Sequence, residues 1–175
     1  MRLVFSGISA ILILFFWNLA FGANSSAPKY SAVVVDANTR DILFAENEGK
    51  RLHPAGLTKL MTLYVAIKAI ENGEIGLDDM VIISNHAAAE APVKLGLRGG
   101  QKARLRYLIR AAGVEGSNDA ATAIAEHIEG SEAAFARRMN RVAEGLGMTG
   151  STFRNAHGLT ETGQLSTAQD MAILL

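Results

Sequence analysis

The chain has 175 residues, 49% of them hydrophobic, which is enough for one domain with a real core and too apolar for disorder. Lys and Arg together number 17 and so do Asp and Glu, so there is no basic footprint for nucleic acid and no charge excess for an anionic membrane surface. Cysteine is absent, which excludes disulfides, thiolate metal ligands and a cysteine nucleophile.

The N-terminus carries Arg2 and then an uncharged apolar run from Leu3 to Phe21, with small residues at Ala20 and Gly22 where a signal peptidase favours them. This predicts a signal peptide over 1–22, a polar linker over 23–29 and export to the periplasm. The rival is an uncleaved anchor, since roughly 18 or more apolar residues can span a bilayer. Either way the expected membrane contact is through this segment alone.

Two short strands come next, within Tyr30–Ala37 and Asp41–Glu46, joined by the polar turn "NTR" as a hairpin. A helix is expected over Leu57–Ile70, closed by Asn72-Gly73, and a short strand over Met80–Ser84. "ARLRYLIRAAGV" and "SNDAATAIAEHI" read as two helices separated by "EGS". A further helix follows Ser131 as N-cap, with Phe135, Met139, Val142 and Leu146 on one face. The last one is capped by Ser166 or Thr167. A hairpin alone is marginal, and no strands arrive after Leu175 to extend it. The region 30–175 therefore reads as an incomplete domain.

The stretch "HPAGLTKLMT" places a lone lysine, Lys59, just inside a helix that is apolar on nearly every face. Such a helix is usually buried. A lysine there loses its proton readily, because burial and the helix N-terminus both disfavour the cation. The alternative is a side chain that reaches back to solvent and does nothing.

"HPAGLTKLMT" resembles the Ser-x-x-Lys box of the penicillin-binding serine D-alanyl-D-alanine carboxypeptidases, the low-molecular-mass penicillin-binding proteins of peptidase S11 type. There a serine and a lysine one helical turn apart form the nucleophile and its base. "SAVVVDANTRDILFAEN" is similar to that family's first hairpin. "KLGLRGGQKARLRYLIRAA" and the stretch from "SNDAATAIAEHIEG" to "NAHGL" are similar to its middle segments, and "STAQDMAIL" to its next helix. The resemblance covers Tyr30 to Leu175 with the motifs in family order. It implies a β-lactamase/transpeptidase-like fold of the α/β (α+β) class, an antiparallel sheet with helices on its faces, here without the later strands. It implies a periplasmic serine hydrolase of peptidoglycan biosynthesis and cell-shape maintenance that trims the terminal D-Ala of pentapeptide stems, reacts with β-lactams and uses no metal or cofactor.

Three departures qualify that inheritance. The nucleophile position holds Gly56. In the family's Ser-x-Asn triplet, here within "EGSND", the serine position holds Gly116; Ser117 occupies the middle slot and Asn118 keeps the asparagine. No Lys-Thr-Gly occurs in the chain. Lys59 is thus expected to be a general base without its hydroxyl. Loss of the nucleophile in serine hydrolases of other folds removes on the order of 10⁶ in kcat. The expectation is an inactive homologue that does not acylate with penicillin; the alternative is a pseudoenzyme that binds peptidoglycan or a partner, or a degenerate gene product.

Ser117 is a possible substitute nucleophile, and Glu115 a possible base or a solvated carboxylate. Asn118 either bonds substrate and lysine, as in the family, or caps the helix that follows, and both can hold at once. His53, His86, His127 and His157 show no metal-ligand spacing, and His157 reads as a loop-packing residue. Arg137, Arg138 and Arg141 read as a solvated face, and the six methionines as core.

Overall fold

The computed structural model describes residues 30–174, and the signal-peptide and linker readings for 1–29 lie outside the described residues. Among the described residues no helix is long and apolar enough to cross a membrane.

Strand β1 (Ala32–Val35) pairs antiparallel with β2 (Ile42–Glu46), from Ala32 opposite Glu46 to Val35 opposite Ile42, as the β-branched run and its polar turn predict. Asp36 builds the turn. Its Oδ1 accepts the backbone N–H groups of Asn38 and Thr39 at 2.8 and 2.9 Å, an Asx-type turn that stands in for backbone pairing. The hairpin leaves Val34, Ile42, Leu43 and Phe44 exposed. A second antiparallel ribbon joins β3 (Met80–Ile82) to β4 (Lys102–Arg104), with Val81 inward and Met80 and Ile82 outward. Among the described residues the strands thus form two separate ribbons rather than one sheet.

A short 3₁₀ turn, Ala55–Leu57, leads into α1 (Thr58–Glu71), which ends at Asn72 and Gly73 as expected, the glycine taking φ +72°. After β3 come α2 (Asn85–Ala89) and, beyond β4, α3 (Leu105–Arg110). A π turn over Ala111–Glu115 continues α3 and stops at Gly116, in the left-handed region at φ +69°. α4 (Asn118–Glu129) and α5 (Glu132–Gly145) follow. Ser131 caps α5 as predicted, accepting the Ala134 N–H. In α6 (Ala168–Ala172) it is Thr167, not Ser166, whose hydroxyl caps the helix, accepting from Asp170 N at 3.0 Å.

α4 is the hub, packed against α1, α2, α3 and α5. Its small buried residues, Ala120, Ala121, Ala123 and Ala125, let neighbouring helices approach closely. Met61 and Val65 of α1, Leu105 and Leu108 of α3, Ile124 of α4, and Phe135 and Met139 of α5 complete one continuous core. Each such burial is worth about 1.5–3 kcal/mol. α1 is less enclosed than its sequence predicts: Ile67 and Lys68 face solvent.

Two surface expectations need correction. Arg138 is not part of a solvated basic face. Its guanidinium holds both Glu74 oxygens at 2.7 and 2.9 Å and Glu129 at 3.1 Å, tying the end of α4 to the turn after α1. Met80 is not core; it lies on the outer face of the second ribbon, because alternation along β3 spends its single inward position on Val81.

Candidate functional site

The start of α1 and the turn before it, the π turn, the start of α4 and the 157–160 loop enclose an open cleft of about 650 Å³. Gly56, Lys59, Glu115, Gly116, Asn118, His157 and Gly158 all line it, together with Leu60, Leu63 and Val93. Residues from sequence-distant segments therefore meet in one cleft.

Lys59 points inward and is buried. Its Nζ donates to Asn118 Oδ1 and to the His157 carbonyl, both at 2.7 Å. Burial holds its pKa below the ordinary lysine value. A neutral amine has two N–H groups and one lone pair. With both N–H groups donated, the lone pair is left to take a proton, as a general base requires. The reading in which Lys59 snorkels to solvent is excluded by its burial.

Asn118 serves both of the roles weighed for it only in part. Its Oδ1 takes the lysine and its Nδ2 donates to Ala91 O at 3.1 Å, fixing the amide's orientation. It is not the cap: that position belongs to Ser117, whose hydroxyl makes no capping bond. Ser117 is buried and is absent from the cleft lining, next to Gly116 in the left-handed region. As a substitute nucleophile it is badly placed. Glu115 is exposed at the rim.

At position 56 the space is open. A Cβ built on Gly56 meets nothing within 4 Å, and the same holds at Gly116, although there the left-handed backbone strains any side chain. Gly158 is the opposite case: a Cβ there would lie 1.9 Å from the Ala55 carbonyl oxygen, at φ +94°. The 158 loop thus presses directly on the turn that presents position 56, and Ala55 itself sits at φ +47°, a strained value for alanine.

Several residues that hold this arrangement carry no motif signal. Thr62 donates to Ala156 O at 2.7 Å, which with Lys59 docks the loop on α1. Gln164 is buried and clasps Asn155: its Oε1 accepts from Asn155 N, its Nε2 donates to Asn155 Oδ1, and that same oxygen accepts from Gly158 N at 2.8 Å. Asp119 is fully buried, and its carboxylate accepts the N–H groups of Leu95, Gly96 and Leu97 at 2.9, 2.9 and 3.0 Å, anchoring the segment that forms the far wall. His157 is a loop-packing residue in part, its Nδ1 accepting Leu159 N–H, but its carbonyl is also a lysine partner.

A family model described as D-alanyl-D-alanine carboxypeptidase, peptidase S11, matches residues 23–175. The chain belongs to that family. D-alanyl-D-alanine carboxypeptidase DacF of Bacillus subtilis is 38% identical over 144 residues, covering 82% of this chain and 37% of that protein. The crystal structure of D-alanyl-D-alanine carboxypeptidase DacD from Francisella tularensis superposes with a TM-score of 0.80 at 38% identity, over 82% of this chain and 35% of that one. Penicillin binding protein 6B from Escherichia coli follows at a TM-score of 0.76 and 40% identity, over 83% of this chain and 48% of that one. This member thus spans less than half the length of these relatives, and its fold is the mixed helix and antiparallel-strand fold of the penicillin-binding proteins.

Proposed function

We propose that this family member is a carboxypeptidase homologue of bacterial wall metabolism whose site receives D-alanyl-terminated peptidoglycan stems without cleaving them. The observation that carries the reading is the pairing of Lys59 with an empty position 56. The base is buried, oriented by Asn118 and the His157 carbonyl and shifted toward its neutral form, while the residue one turn before it has open space and no hydroxyl. In the family chemistry the lysine takes a serine proton as the serine attacks the peptide carbonyl. Here no oxygen stands at position 56 to attack, so no acyl-enzyme forms and β-lactams bind, at most, without a covalent bond. The apolar run over Leu3–Phe21 supports export to the periplasm, where such stems occur.

The enzyme reading requires another nucleophile, and Ser117 is the one the sequence offers. Its burial and its absence from the cleft lining favour the non-catalytic reading. Intact-mass spectrometry of the folded chain after incubation with excess benzylpenicillin tests the proposal. The expected spectrum shows the unmodified mass. Addition of one penicilloyl group, mapped to any serine or threonine, would overturn it.

A further inference from the structure

Behind the cleft wall, α2 and the start of α5 bring three side chains together that the carboxypeptidase chemistry does not use. His86 lies on α2, Glu90 caps the end of that helix, and Glu132 is the first residue of α5. His86 Nε2 is 3.2 Å from Glu132 Oε2 and 3.8 Å from Glu90 Oε1, and one ligand atom from each of the three residues lies within 4.8 Å of the others. Zinc with bonds of about 2.0–2.1 Å in tetrahedral geometry sets neighbouring ligand atoms about 3.3–3.4 Å apart. Closing on an ion therefore asks for side-chain adjustments of well under an ångström in the shorter pair and modest ones in the longer.

A second observation is electrostatic. The Glu90 and Glu132 side chains are only 12% and 13% exposed, and their ion-pair partners among the described residues are His86 and His157, not lysine or arginine. Two largely buried carboxylates thus face one spot with only imidazoles as ion-pair partners, an arrangement that a bound cation would stabilise.

The fold also divides the donors as a metal centre needs. Glu132 Oε1 is occupied structurally, accepting from Ala156 N at 2.9 Å and Thr122 Oγ1 at 3.3 Å, which fixes the carboxylate and leaves Oε2 turned to His86. His157 Nδ1 accepts the Leu159 N–H, so in the neutral ring the proton sits on Nε2, 3.4 Å from both Glu90 Oε1 and Glu132 Oε1. His157 thereby turns its Nε2 edge toward both carboxylates, beside the ligand set rather than within it. His86 is exposed and leaves a solvent-side position for water.

We propose that His86, Glu90 and Glu132 bind one divalent first-row transition-metal ion, of which zinc is the best fit to an imidazole and two carboxylates at this spacing. The ion staples α2 to the N-terminus of α5. Through Glu132 and His157 it stiffens the loop whose carbonyl receives Lys59. Its role is structural, and it lies apart from position 56.

The test uses metal-stripped protein titrated separately with cobalt(II) and zinc(II) chloride, reading the visible absorption of cobalt, the stoichiometry by calorimetry and the thermal midpoint. One ion per chain and a raised midpoint are expected. His86→Ala, an exposed position whose loss leaves the fold intact by circular dichroism, should weaken binding about tenfold or more and abolish the midpoint rise, while His53→Ala should leave both unchanged. Absence of one-to-one binding, or equal binding by the His86→Ala chain, would overturn the proposal.

Discussion

Lys59 Nζ and Asn118 Oδ1 are 2.7 Å apart across 59 residues of sequence, and that bond joins the first turn of α1 to the first residue of α4. It is a structural joint as much as a chemical one, because α4 is the hub against which α1 packs.

Removing the acceptor exposes this. Asn118→Ala deletes both the Lys59 bond and the tie to Ala91 O, leaving a buried amine with one partner. Leaving a buried polar group without its partner costs about 1–3 kcal/mol, so unfolding in urea should show a loss in that range. A loss below about 0.5 kcal/mol would mean that water replaces the asparagine.

The depressed pKa of Lys59 makes stability depend on pH with a definite sign. Below the lowered folded value both states are protonated and the buried cation carries its full cost. Between that value and the unfolded lysine value of about 10.4, the unfolded chain binds more protons, so stability rises with pH. Urea midpoints from neutral to pH 10 should therefore rise for the native chain relative to Lys59→Met. A constant difference between the two would show that Lys59 titrates as an ordinary lysine.

Glycine substitutions separate open from closed positions. Gly56→Ser adds atoms into empty space, and its stability should stay within about 1 kcal/mol of the parent. Gly158→Ala drives a Cβ into the Ala55 carbonyl at positive φ and should cost about 2 kcal/mol or more in the same assay. Equal effects of the two would refute the close approach of the 158 loop to the turn at position 56.

Asp119→Ala strands the three N–H groups of Leu95, Gly96 and Leu97. A loss of about 2–4 kcal/mol is expected, with faster amide exchange confined first to residues 94–98. Uniform exchange across the chain would place Asp119 in the global core rather than in the wall of the cleft.

Much of this molecule is local information. The hairpin, the stop of α1 at Asn72-Gly73 and the Ser131 cap follow from β-branched runs, turn residues and side-chain caps, which act over a few residues and leave their mark in composition. The motif order around Gly56, Lys59 and Asn118 is likewise written in the chain, and the fold brings these three residues to one cleft.

Other features exist only through partners far along the sequence. The five residues of α2 are too few to show a helical period, and Lys102–Arg104 has no β-branched residue; it is a strand because β3 offers a ladder. Arg138 looked solvated because Glu74 is distant in sequence. Ser117 is buried next to the left-handed Gly116, and the junction of His86 and Glu90 with Glu132 follows from the packing of α2 and α5 on α4. The sequence by itself determined the family and the glycine that stands three residues before Lys59, since both reside in residue identities at fixed spacing. Tertiary structure decided which polar groups are buried and what they face, because burial and electrostatic environment are properties of the whole packed chain.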